Sequence, residues 1–351
     1  MADNGPAVTA RSQRRMAGVA VALALAAAQL LPACAEGAPP TIEGCQLFPA
    51  FSGEAGSPST DDQTAWNQEV AATPKDRRSG RYMKRIRRLG GNQALHPDFG
   101  GDGAYGIPFS VVPQAEPLVD VTIGPDGYPA ESEFGAGTGG PAAAPIPLDA
   151  PIEGSGDDGD RHVVVVREGE CDLWEMYRSF PQPAQARWQA DSTAHFDLDS
   201  PGRHPETWTS ADGAGLPILP GLVRYDEVAA GSVEHAIRAT FARTRRAYIH
   251  PAVHYASSRC GRFLAPMGLR LRLKRGYYRE HRGDFARGSQ ARPIFKALYR
   301  YGLIVADNGS NWFLTGASDS RWDDEDVGDL KNVPGRAFVV VDAEARVTTP
   351  C

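Results

Sequence analysis

The sequence is short of cysteine. It has five in 351 residues, and no two of Cys45, Cys171, Cys260 and Cys351 lie within four positions of one another, which excludes a cluster of closely spaced zinc thiolates. Three common chemistries lack their local strings: there is no Gly-x-Ser-x-Gly nucleophile elbow, no Gly-x-x-x-x-Gly-Lys-Ser/Thr phosphate loop and no His-Glu-x-x-His. An excess of one charge is missing too. With 37 basic and 43 acidic side chains the net charge is −6, so there is no global attraction to nucleic acid or anionic lipid. Long apolar runs are absent, since the early apolar stretch, residues 16–31, falls short of the ~20 residues that span a bilayer.

What is present begins with an address. Arg11, Arg14 and Arg15 precede that apolar run, and small residues follow it, which is the order of a cleavable export signal. The string Leu31-Pro32-Ala33-Cys34 resembles a lipobox, so residues 1–34 read as a signal peptide and Cys34 as the lipidation site. Cys45, Cys171, Cys260 and Cys351 then form an even set for two disulfides in any of three connectivities. The expected location is therefore exported, either secreted or held at the cell surface as a lipoprotein. The only membrane contact expected is the lipid anchor. Residues 35–63, rich in Gly, Pro, Ser and Ala, read as a flexible tether, and residues 64–351 as a single large β-rich domain.

Hydrophobic content of 42% supports a packed core, and glycine and proline, 38 and 28 residues, supply many turns. Residues 75–88 hold eight basic side chains against Asp76, with Tyr82, Met83, Ile86 and Leu89 at helical spacing, predicting a short basic helix. Strands are predicted at 107–112, 118–123, 162–166, 171–177, 219–225, 236–241, 247–249, 269–274 and 337–341, and a surface loop at 130–159. In the 269–274 segment Leu269, Leu271 and Leu273 alternate with Arg270, Arg272 and Lys274, as for a strand with one face in water. After residue 105, helices are predicted only at 293–301 and 324–332. The pattern is mostly β, an antiparallel sandwich or jelly roll with a few short helices.

Eight strings stand out: Trp66-Asn67, Asp160-Arg161-His162, Trp188-Gln-Ala-Asp191, Trp208-Thr-Ser-Ala-Asp212, residues 216–228, His254-Tyr255-Ala-Ser257-Ser258, Asp307-Asn308-Gly309-Ser310 and Arg321-Trp322-Asp323. By these the chain resembles an uncharacterised family of secreted bacterial proteins over residues 45–342. The resemblance implies an exported single unit and carries no activity.

Candidate chemistry rests on the titratable groups within these strings. Read as a strand, residues 223–228 put Arg224 and Asp226 on one face and Tyr225 and Glu227 on the other. Asp226, Asp212, His254 and Tyr255 are the catalytic candidates, since a carboxylate and a His-Tyr pair can move protons near neutral pH. Arg224, Arg272, Trp208 and Trp188 are the candidate substrate-binding residues, two to hold anionic or polar groups and two to stack on sugar rings. Asp307-Asn308-Gly309 reads as a hairpin turn. The acidic strings 157–160 and 319–329 do not match a calcium loop and read as a turn and a helix start, so no metal or cofactor is expected. The expected function is an exported enzyme cleaving polysaccharide by hydrolysis or elimination, a glycoside hydrolase or polysaccharide lyase acting as a monomer. The alternative is a non-catalytic surface protein that binds glycan or cell-envelope material.

Overall fold

Residues 163–166 are four valines, and all four have no solvent exposure. A computed structural model defines residues 41–42, 45–46, 65–100, 105–154, 156, 158–198 and 204–341. Branched Cβ atoms favour extended backbone. The valine run accordingly forms the strand Val163–Arg167, within a sheet ordered Ser192–Asp197, Asp172–Tyr177, Val163–Arg167, Ser110–Val112. Alternate side chains leave opposite faces of a strand. Val164, Val166 and Leu173 therefore enter one core, while Val163, Val165, Trp174 and Met176 enter another.

The smaller core is closed by a second four-stranded sheet, in the order Ala143–Ala144, Val119–Ile123, Arg187–Ala190, Phe180–Gln182, through Val121 and Trp188. The larger is closed by a six-stranded sheet ordered Phe338–Val340, Arg270–Leu273, Leu303–Asn308, Ile237–Phe241, Phe313–Thr315, His96–Asp98. The central sheet is thus packed on both faces. The fold is of the mostly-β, sandwich-like class, with 28% strand against 20% helix and five short helices among the described residues. Its sheets are mixed: Leu303–Asn308 runs parallel to Ile237–Phe241, and Val163–Arg167 parallel to Ser110–Val112.

The basic helix is Ser79–Arg88, which buries Tyr82 and Ile86 and leaves its arginines outside. The later helices are Ala291–Arg300 and Asp324–Gly328, the latter extended by a 3-10 turn, Asp329–Asn332. Asp323 caps its helix by accepting from the backbone N–H groups of Glu325 and Asp326. Helices also form at Tyr225–Ala229 and Arg275–His281.

Three expectations are corrected. Residues 219–225 are not a strand but a 3-10 turn, Leu219–Gly221, leading into the helix Tyr225–Ala229. Pro217 and Pro220 remove ladder donors there, and the Glu175 carboxylate takes the N–H groups of Ile218 and Leu219. The 130–159 stretch is not a surface loop, because Phe134, Ala144 and Ile146 have no exposure and fill the smaller core. Of the alternating basic side chains, Lys274 is exposed and Arg272 half-buried, but Arg270 does not face water. Arg270, 7% exposed, donates to the backbone carbonyls of Tyr301, Ala65 and Gln68, and Arg272 to those of Leu273 and Thr73.

A disulfide joins Cys45 to Cys171 across 126 positions, and Cys260 is also disulfide-bonded. Cys34, Cys351, the signal segment, most of the tether and Asp157 lie outside the described residues. No described helix is long and apolar enough to cross a membrane.

Candidate active site

Where the central and six-stranded sheets meet, one guanidinium gathers two carboxylates. Arg238, within Ile237–Phe241, donates from Nε and Nη2 to the two oxygens of Asp212 at 2.9 and 3.0 Å, from Nη1 to Thr315 Oγ1 at 2.8 Å, and from Nη2 to Asp307 Oδ2 at 3.4 Å. The fork matches a carboxylate edge. Asp212 has no solvent exposure, and burial acts against the Arg238 charge, but Asp212 and Asp307 more than offset that and hold its pKa above the usual arginine value.

Asp307 reaches this position through a bulge. Arg238 pairs with Ile304, yet Thr240, two residues on, pairs with Asp307, three residues on, so the register slips by one. An unbroken strand would turn Asp307 to the opposite face; the extra residue brings it to the face of Arg238 and Thr240. Residues 307–309 are therefore not a hairpin turn, since Leu303–Asn308 and Phe313–Thr315 flank Ile237–Phe241 on opposite sides and do not pair with each other. Burial and the charge of Asp212 push the Asp307 carboxyl up to about 7, against the pull of Arg238 and the Asn308 N–H it accepts at 2.6 Å. Its side chain keeps 19% exposure, so it is open on one side.

Around these groups stand His162, Tyr177 and His254. His162 Nε2 donates to the carbonyl of Ala211, next to Asp212, and Nδ1 meets Glu153 at 2.5 Å. Burial disfavours its charge, but Glu153 outweighs burial and raises the pKa to about 9, so His162 is a cation that fixes the Asp212 loop. Tyr177, 5.7 Å from the His162 ring, has its hydroxyl pushed up to about 12 by burial and by the charges of Asp160 and Asp307. His254 Nδ1 lies 2.9 Å from the carbonyl of Gly213. A carbonyl only accepts, so Nδ1 carries a proton, which leaves Nε2 as the ring nitrogen that can exchange one. Gly213 separates base from acid, because a Cβ there would lie 2.4 Å from Asp307 Oδ1 and 3.0 Å from the Ala256 methyl.

The His162 ion pair makes stability depend on pH with a definite sign. The unfolded chain releases this proton near 6.5 and the folded one near 9, so the contribution is complete below 6.5 and lost as pH rises through 9. We expect the thermal midpoint of the wild type to fall over that interval and the fall to be smaller in His162→Gln, as followed by circular dichroism. Equal slopes in both proteins would contradict the assignment.

Of the residues expected from sequence, Asp212, His254 and Tyr255 are drawn toward Gly213: Tyr255 stacks on His254 at 5.4 Å and on Tyr248 at 6.5 Å. Asp226 is not among them. It lies in a helix rather than a strand, 80% exposed, and pairs with Arg321 at 2.7 Å. Arg224 is buried against Glu227 and donates to the carbonyls of Leu219 and Leu222, and Arg272 is likewise committed to carbonyls, so neither guanidinium is presented to a substrate. Trp188 has no exposure and donates to the carbonyl of Ile146, which makes it core. Trp208 is half-buried, edge-on to His204. Sequence reading passed over Asp307, Arg238, Tyr177 and His162, although two of the conspicuous strings contain Asp307 and His162. A separate groove of about 720 Å3 lies between the helices Tyr225–Ala229 and Ala291–Arg300 and contains none of the clustered groups. Among the described residues no group of three His, Cys, Asp or Glu side chains has metal-binding geometry. Comparison of the chain with models of protein families, with characterised proteins and with solved structures gave no match in any of the three.

Proposed function

We propose that the protein is an exported enzyme that cleaves polysaccharide by acid/base chemistry centred on Asp307. The observation that carries this reading is a carboxyl with its pKa near 7 and one side open to solvent, beside a guanidinium whose charge a second carboxylate already balances. An acid of that strength is half protonated at neutral pH and can donate to the bridging oxygen of a glycosidic bond. His254 Nε2 supplies the complementary base. In hydrolysis it takes a proton from the attacking water; in elimination it takes one from the carbon beside a sugar carboxyl. Export is supported by the basic-apolar-small order of residues 11–35 and by the Cys45–Cys171 bridge, since disulfides persist in oxidising compartments.

The test is a panel of neutral and acidic polysaccharides incubated with the wild-type protein. New reducing ends report any cleavage, and ultraviolet absorbance of unsaturated sugars reports elimination. We expect cleavage of at least one class, with a pH profile whose alkaline limb falls near 7 as Asp307 loses its proton. Binding without cleavage across the panel would instead support the non-catalytic glycan-binding reading.

A further inference from the structure

Residues 242–279 contain no Asp or Glu, and residues 70–93 contain only Asp76, in a chain whose net charge is −6. The fold joins these two acid-poor stretches. Phe263 packs edge-on to Tyr82 of the basic helix at 5.5 Å, and the guanidinium groups of Arg81 and Arg262 lie over its ring at 5.5 and 5.1 Å. Arg85 reaches the same spot, with Nη2 at 3.7 Å from where a Cβ on Gly261 would stand. Asp76, the acidic residue of the described stretch 70–93, is engaged by Arg78 at 3.0 Å. Arg81, Arg85, Arg259 and Arg262 are exposed and form no ion pair among the described residues.

This surface is continuous with the Asp307 site. The carbonyl of Arg259 accepts from the N–H of Arg246 at 2.7 Å, and the Arg246 guanidinium lies 5.7 Å from the Tyr255 ring. Tyr255 stacks on His254, whose Nδ1 holds Gly213 against Asp307. Five guanidinium groups and two aromatic side chains therefore follow one path: Arg85, Arg81, Phe263, Arg262, Arg259, Arg246, Tyr255.

We propose that this path is the binding track for the substrate of the Asp307 site, and that the substrate is an anionic polysaccharide. The proposal rests on the catalytic reading only for the claim that the bound polymer is cleaved. A carboxylated or sulfated glycan presents negative groups at intervals along one chain, which suits a row of exposed guanidinium groups held in place by aromatic rings. A membrane surface suits the path less well. Peripheral insertion needs apolar side chains that stand free of the protein, whereas Phe263 is half-buried between Tyr82 and two guanidiniums, and the exposed large apolar side chains among the described residues are Tyr105, Leu118 and Tyr128.

The experiment measures binding of the full chain to polygalacturonate, alginate and heparin, to neutral dextran of similar length, to single-stranded DNA, and to phosphatidylcholine vesicles with and without phosphatidylglycerol. An acidic glycan should bind, weaken with salt and exceed dextran, DNA and vesicles. The triple variant Arg81→Glu, Arg85→Glu, Arg262→Glu should weaken that binding about tenfold or more, since exposed charges act modestly but together and in reversed sign. Asp307→Asn should keep the binding. Vesicles or DNA bound as tightly as any acidic glycan, or a triple variant that binds like wild type, would overturn the proposal. The two readings fail separately. A fully active Asp307→Asn with glycan binding still lost in the triple variant removes the catalytic reading and leaves the track. Cleavage of a neutral glycan, unaffected by the triple variant, removes the track alone.

Discussion

Changing Asp307 to asparagine should leave the protein folded and lower cleavage by about 10²–10⁴-fold, the usual worth of a positioned general acid. The amide has nearly the carboxyl's shape and still offers an oxygen to the Asn308 N–H, so the bulge that carries residue 307 has no reason to rearrange. What it loses is the proton. It also loses a negative charge that lies against Asp212 and that burial disfavours, so the variant's thermal midpoint should equal or exceed that of the wild type. Turnover and melting measured on one preparation separate these effects. Wild-type turnover in Asp307→Asn would end the assignment. Asp226→Asn is the contrast, since that carboxylate sits 80% exposed in a surface ion pair and its loss should change turnover little.

Changing Arg238 to methionine should destabilise the fold by about 3–5 kcal/mol, the cost of stranding a buried ion after its partner is removed. Asp212 has no exposure, and its two oxygens are the acceptors for Nε and Nη2 of that guanidinium. Without the cation, the buried Asp212 carboxylate loses its partner and repels Asp307, which favours protonation of one of the two. The double variant Arg238→Met, Asp212→Leu removes both charges and should recover much of the loss. Urea unfolding of the two single variants and the double variant measures the coupling. A single arginine variant as stable as the wild type would show that water reaches Asp212.

The difference between what could be read beforehand and what could not follows from the range of the interactions. The valine strand was legible because a run buried on both faces announces itself locally, and the helix Ala291–Arg300 because its amphipathic spacing stops at Gly302. The helix Tyr225–Ala229 was not. Residues 223–226 alternate apolar and polar like a strand, and five residues are too few for helical periodicity to compete. Asp212, His254 and Tyr255 stood out as residue types that move protons. Asp307 was masked by Asn308 and Gly309, whose turn signal is overridden by pairing with Ile237–Phe241. Arg238 looks, in its strand, like one solvated charge; its partners lie 26 positions earlier and 69 later, and only the fold joins them. The substrate-binding assignments of Arg224 and Arg272 went wrong for a related reason. Nothing local says that a neighbouring segment's carbonyls will cover a guanidinium.

The bond between Cys45 and Cys171 decides how the molecule bears load. Cys45 is almost wholly buried, and its partner directly precedes the central strand Asp172–Tyr177. Tension on the chain upstream of Cys45 is therefore delivered through a covalent link to the middle of the three sheets, bypassing the basic helix, which hydrogen bonds and packing alone hold. In the oxidised protein a steady pull therefore loads Asp172–Tyr177, a strand bonded to a neighbour on each side. After reduction the same pull reaches the basic helix before the central sheet, and the force at which the fold gives way should drop accordingly.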